Sequence, residues 1–257
     1  MDVVTPNRLR WGALTWLLTL QFFVVEVIAQ SRYAGSYSRA EDTISALGAG
    51  PSGAHALMNA SFVAQAVLIL AGALLLRPFL LRTAGQLAPV LLGAAAIGVL
   101  LVGVFPSDGN ALVHAIGAVA HLVAGNLGLI ALAYAVRPRS EALGTTLAAL
   151  GLVGIAATVF FLTGVTEYLG EGGTERLAAY VIPVGLAVAG VALWRLAGPG
   201  SSERQTERAA ARREQAERAR ERDAALEAAA GREQSAAGTA DADELDEHWA
   251  PVERRRD

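Results

Sequence analysis

The sequence predicts an all-α polytopic membrane protein: a six-transmembrane-helix bundle over residues 1–198, then a charged cytoplasmic tail over 199–257, part helical and part disordered. Three observations predict it. Hydrophobic residues make up 53% of the 257 and mean hydropathy is +0.40, more apolar than a soluble domain. The apolar excess stops near residue 198, with net charge +1 before that point and −4 after it. Within the first segment, apolar residues come in runs of about 18 or more, the length at which a helix crosses the ~30 Å hydrocarbon layer.

The runs lie at 11–29, 56–76, 87–105, 111–136, 145–165 and 177–197. Backbone groups in lipid must be hydrogen-bonded within the segment, and separate runs of this length do so as helices; the period-2 pattern of barrel strands is missing. Arg8 and Arg10 precede the first run as they would in a signal peptide, but the run is longer than the usual h-region and its cleavage pattern is poor. It reads as a retained helix. The absence of Cys excludes disulfides and thiolate metal sites.

Arginine placement sets the expected orientation. With the N-terminus inside, the cytoplasmic segments carry Arg8, Arg10, Arg77, Arg82, Arg137, Arg139 and Arg195, against Arg32, Arg39 and Arg176 outside. The positive-inside rule therefore gives a multi-pass protein of the cell membrane with both termini cytoplasmic.

The tail opens with "GPGSS" and continues in Ala, Arg, Glu and Gln, strong helix formers. Arg213 with Glu217 and Glu214 with Arg218 are i,i+4 charge pairs. Leu226 is its only large aliphatic side chain in this stretch, so there is no stripe for a coiled coil and the helix reads as solvated. From Gly231 onward the composition predicts disorder. Expected partners are membrane lipids and a soluble partner for the tail; nucleic acid is not one.

Candidate chemistry concentrates in "FPSDGNALVHAIGAVAH", residues 105–121. Pro106 ends the third span, and Asp108 or Asn110 can cap the fourth. At 1.5 Å per residue, His114 sits about one turn into the membrane from outside and His121 roughly 15 Å deep, with Asn126 beyond it. His114, Gly117, Ala118, His121, Ala124, Gly125 and Gly128 share one helix face, a small-residue stripe that meets another helix rather than lipid. An intramembrane ionisable group raises a functional hypothesis, set against the plainer reading of His121 as interhelical glue. The two His lie about 10.5 Å apart along the axis, too far to share one zinc ion or haem iron. No metal or cofactor is expected.

Asp108, one loop from His114, could form an acid and imidazole pair with it; the candidate catalytic residues are Asp108, His114 and His121. The first outer loop holds "EDTISALG", read as a short helix capped by Asp42, able to lid a pocket. Glu26, Asp42, Ser45, Asn59 and Asn126 are the candidate cavity-lining residues, with Glu167, Glu175 and Arg176 available as partners. The match of "NAS" at Asn59 to a glycosylation pattern is read as chance, because it lies where the second span enters the membrane.

"SRAEDTISALG" after the first span, "NASF" opening the second, "VGVFPSDGNALVHAIGA" across the third and fourth, and "AGNLGL" along the fourth together resemble the domain-of-unknown-function 998 family of prokaryotic membrane proteins. The resemblance covers most of residues 11–197 and implies a bundle of about six helices in a bacterial or archaeal membrane. It implies no activity.

Three functions compete. A noncatalytic scaffold or accessory membrane subunit is favoured. An enzyme on a lipid or lipid-linked substrate would use Asp108 and His114 as acid and base, and would explain why the polar groups share one leaflet. A small permease with a His proton relay would explain the depth of His121, but the sequence shows no matching halves with broken helices.

Overall fold

In a computed structural model of the chain, residues 6–80, 83–196, 210–211 and 213–227 are described. The apolar runs are helical throughout, as backbone in hydrocarbon requires. Helices α1 (Pro6–Leu18) and α2 (Gln21–Ser31) share the first span. They are followed by α3 (His55–Leu76), α4 (Ala84–Val104), α5 (Ala111–Val136), α6 (Glu141–Thr163) and α7 (Gly170–Leu196). Six candidate spans result among the described residues, the first covering Asn7–Ser31. Successive helices pack side by side, and α1 contacts both α3 and α7, so the ring of neighbours closes on itself; α5 and α7 also touch.

The first span departs from the expected single helix. At Thr19 and Leu20 the backbone bonds shorten to i→i−3, Thr19 N to Trp16 O and Leu20 N to Leu17 O. The buried Thr19 hydroxyl donates to Trp16 O at 2.5 Å and lies 3.3 Å from Pro183 O, a carbonyl inside α7. Beside the break, Gln21 Nε2 donates to Ser61 O and Ser61 Oγ to Gln21 Oε1 at 3.0 Å. A break at this depth persists because side chains take up the freed polar groups. The first span is thus two helices, α1 and α2, within one candidate span, where the sequence reads as a single helix.

Close approaches depend on glycine. A Cβ on Gly98 would meet Gly117 O at 2.6 Å, and one on Gly117 would meet Gly98 O at 2.7 Å, so α4 and α5 touch backbone to backbone along the expected small-residue stripe. Gly72 leaves the seat for Trp16, whose indole donates to Ile69 O.

The last span begins earlier than its apolar run, at Gly170, so Glu171, Glu175 and Arg176 are helical residues. The left-handed Gly170 (φ 75°) and Gly172 set the start of α7 against the backbone of Ala40 and Asp42, and Gly173 N donates to Ala40 O at 2.8 Å. A tail helix covers 213–227, exposed throughout, with the Glu214–Arg218 pair at 2.5 Å. The segment expected to be disordered, from Gly231, lies outside the described residues.

Candidate functional site

The 32–54 loop folds back over its end of the bundle and is tied to four helices. Its central piece is a one-turn 3-10 helix, Ser45–Gly48, without a side-chain cap. The Asp42 carboxylate accepts instead from Ser38 N at 2.7 Å, closing its own turn, which corrects the expected cap. Asn59 of α3 donates to Gly48 O at 2.8 Å. Asp108 accepts from Gly50 N at 2.8 Å, while Asn110 caps α5 through Val113 N.

The deeper ties come from α7. Glu26 and Arg176, both buried, pair at 2.9 Å. The other guanidinium nitrogens donate to Arg39 O, Asp42 O and Gly172 O at 2.7 to 3.0 Å and to the Tyr37 hydroxyl. Tyr180 donates to the second Glu26 oxygen at 2.5 Å. This pair has nearly every donor and acceptor filled, which is the condition for a buried charge pair to be tolerated.

From the adjacent residue of α7 a second cluster is arranged differently. Glu175, 7% exposed, accepts from Ile44 N on Oε2 and faces Ser45 Oγ with Oε1 at 3.1 Å. On its other side Ser45 Oγ lies 3.0 Å from Nε2 of His114, also 7% exposed. His114 Nδ1 is 2.9 Å from Phe105 O, and a carbonyl only accepts, so Nδ1 carries a hydrogen. The Ser45 hydroxyl has one hydrogen for two gaps.

That count fixes what the cluster can do. A neutral Glu175 can donate to Ser45, which donates to neutral His114; or imidazolium can donate to Ser45, which donates to carboxylate. Both arrangements contain the same number of protons, fill both gaps, and interconvert by moving hydrogens through the hydroxyl. Remove one proton, and one gap is left with lone pairs facing each other. The Ser45 hydroxyl thus bridges Glu175 and His114.

Ser45 and Glu175 also line a cavity of about 50 Å³ that reaches Gln65, Pro183 and His121. Its size suits a few water molecules. His121 is half-buried, with Nδ1 donating to Ala95 O at 3.0 Å, and no protein group among the described residues bonds Nε2.

The family model described as "Protein of unknown function (DUF998)" matches residues 17–192. The chain belongs to this family. Comparison with curated proteins and with solved structures finds no match.

In this DUF998 protein the expected site residues divide between several places. Ser45 and His121 line the cavity, and His114 touches it through Ser45. The expected Asp108–His114 pair does not form: Asp108 turns to the loop backbone and His114 to Ser45. Glu26, Asp42 and Asn59 secure the loop and do not line the cavity. Asn126, fully buried, points away to α6 and α7, donating to Ala178 O at 3.0 Å, and its carbonyl oxygen fills the space beside Gly154. No group of three or more metal-binding side chains gathers among the described residues. Sequence reading named Glu175 only as an available partner and missed Gln65, Tyr37 and Tyr180; for Tyr180 the signal was its i,i+4 spacing from Arg176, which puts those two on one helix face.

Proposed function

We propose that this protein takes up protons at its 32–54 loop end and relays them into the membrane interior, as the proton-handling half of a small permease. The observation that carries the reading is the Ser45 hydroxyl held between Glu175 and His114 at 3.1 and 3.0 Å. The water-sized cavity from Ser45 to His121 continues the path, and it lies against the broken first span and Pro183, the kind of helix interruption at which transporters place ion sites. Arg8, Arg10, Arg77, Arg137, Arg139 and Arg195 gather at the other ends of the helices, which supports a loop end facing outward from the cell membrane.

The lipid-enzyme reading loses ground because a cavity of about 50 Å³ does not admit a lipid headgroup. A noncatalytic accessory subunit remains the second reading, favoured by the many bonds that fasten the loop. Full-length protein in liposomes loaded with a pH dye separates the two. Under an imposed potential the relay reading expects dye acidification above that of protein-free vesicles, lost in Ser45→Ala and His114→Gln proteins that still insert and melt cooperatively. Uptake no faster than in empty vesicles would overturn the relay and leave the accessory reading.

A further inference from the structure

At the opposite end of the bundle, α1 and α7 are in contact where a Cβ on Gly190 would meet Ala13 O at 3.0 Å. Beside this contact the two helices line a groove of about 430 Å³. Its floor is apolar, from Leu14, Leu17 and Val191, and its sides are the indoles of Trp11 and Trp194, 60% and 49% exposed. Indoles favour the membrane interface, where a ring can be apolar on its face and hydrogen-bonded at its edge.

The mouth of the groove is cationic. Arg10 is exposed and lines it beside Asn7, and no ion pair holds Arg10 among the described residues. Its neighbour Arg8 is committed to Leu74 O and Leu75 O. Around this end stand also Arg77, Arg137, Arg139 and Arg195, with Glu141 alone of opposite sign among the described residues of the bundle itself, paired with Arg137. An apolar slot running along two helices under an exposed guanidinium matches a molecule with a long hydrocarbon chain and an anionic head.

We propose that the α1–α7 groove holds one anionic phospholipid, with its phosphate on Arg10 and Asn7 and an acyl chain along Leu14, Leu17 and Val191 between the two indoles. A zwitterionic phospholipid would bring its own cation to the same arginines, so the site discriminates by headgroup charge. Ordinary surface attraction would leave the indoles equally exposed to every lipid chain, whereas a held lipid would not.

Tryptophan quenching tests this. The full chain carrying Trp249→Phe is placed in nanodiscs of one fixed mixture of phosphatidylglycerol and phosphatidylcholine, with bromine on the acyl chains of either one or the other. Bulk composition and charge are then identical, and only the identity of the quencher differs. Brominated phosphatidylglycerol should quench Trp11 and Trp194 more than brominated phosphatidylcholine, and Arg10→Gln should abolish that excess while phosphatidylcholine quenching persists. Arg10→Lys should retain part of it. Equal quenching by the two lipids, or an excess unchanged in a folded Arg10→Gln protein, would overturn the proposal. An excess removed by soluble inorganic phosphate at millimolar concentration would overturn it too, since the site would then be one for a free anion.

Discussion

Two interfaces meet at the loop end and hold by different physics. Along α4 and α5, Gly98 and Gly117 let backbones touch, and no charge takes part. Between α7 and the loop, Glu26, Arg176, Tyr180 and Tyr37 form a connected polar cluster. Shape complementarity of the first kind has a single good arrangement, since packed backbones cannot yield by a methyl group. The second kind is conditional: each group is tolerable only while its partner stays present and in the right protonation state. The contrast makes the charged interface the more fragile under mutation of one partner.

The largest expected effect follows. Glu26→Ala leaves Arg176, 6% exposed in its side chain, without its carboxylate, and removal of one partner from a buried pair costs about 3–5 kcal/mol. Thermal unfolding in detergent should show the loss, and Glu26→Gln combined with Arg176→Gln should recover part of it. A fall smaller than that of the glycine variant below would reverse the ranking of the two interfaces. Next comes Gly117→Ala, whose methyl would press on Gly98 O at 2.7 Å; overpacking of this kind costs about 1–3 kcal/mol. A neutral outcome would mean that α4 and α5 can part without harm, and that the seam is not tight.

The fold was largely legible in the sequence because the hydrocarbon layer imposes length and hydropathy on every span. The small-residue face of α5 was legible for the same reason, since period alone places Gly117 and His121 together. The break after Leu18 was not: Thr19 is an ordinary helix residue, and one of the two carbonyls its hydroxyl meets belongs to Pro183, far along the chain. Nor was the start of α7, because "EGGTER" reads as a polar loop until Glu26 and the loop carbonyls neutralise Arg176. The Asp108–His114 pairing failed because Gly50 and Ser45, remote in sequence, offer each group a partner. Local pattern located the polar groups; tertiary contacts chose their partners.

A pH experiment sharpens the conditional character of the charged interface. Burial pushes the Tyr37 phenol up from 10.0 to about 12, against the opposing pull of the Arg176 guanidinium. The folded state therefore holds this proton more tightly than the unfolded chain does. Its stabilising contribution is complete below pH 10 and is lost as pH rises through 12, an effect on the order of 1–2 kcal/mol. Stability measured between pH 9 and pH 12 should decline more steeply for the native chain than for Tyr37→Phe. Parallel curves would mean that the phenol is not desolvated by the loop.

His121 gives the smallest effect on stability and the sharpest test, because it belongs both to the α4–α5 seam and to the cavity. Its Nδ1 bonds Ala95 O of α4, making it part of the seam, while its ring also lines the cavity that begins at Ser45 and Glu175. As seam alone it contributes one interhelical hydrogen bond, and such bonds average about 0.6 kcal/mol in membrane proteins. His121→Leu keeps an apolar side chain against α4, so it should shift the unfolding midpoint only slightly. Under the relay reading the same substitution removes the innermost proton acceptor of the path, so proton uptake in liposomes should fall to the protein-free level despite the near-native melt. If instead stability collapses while uptake per folded molecule is unchanged, His121 belongs to the seam and the path does not run through it.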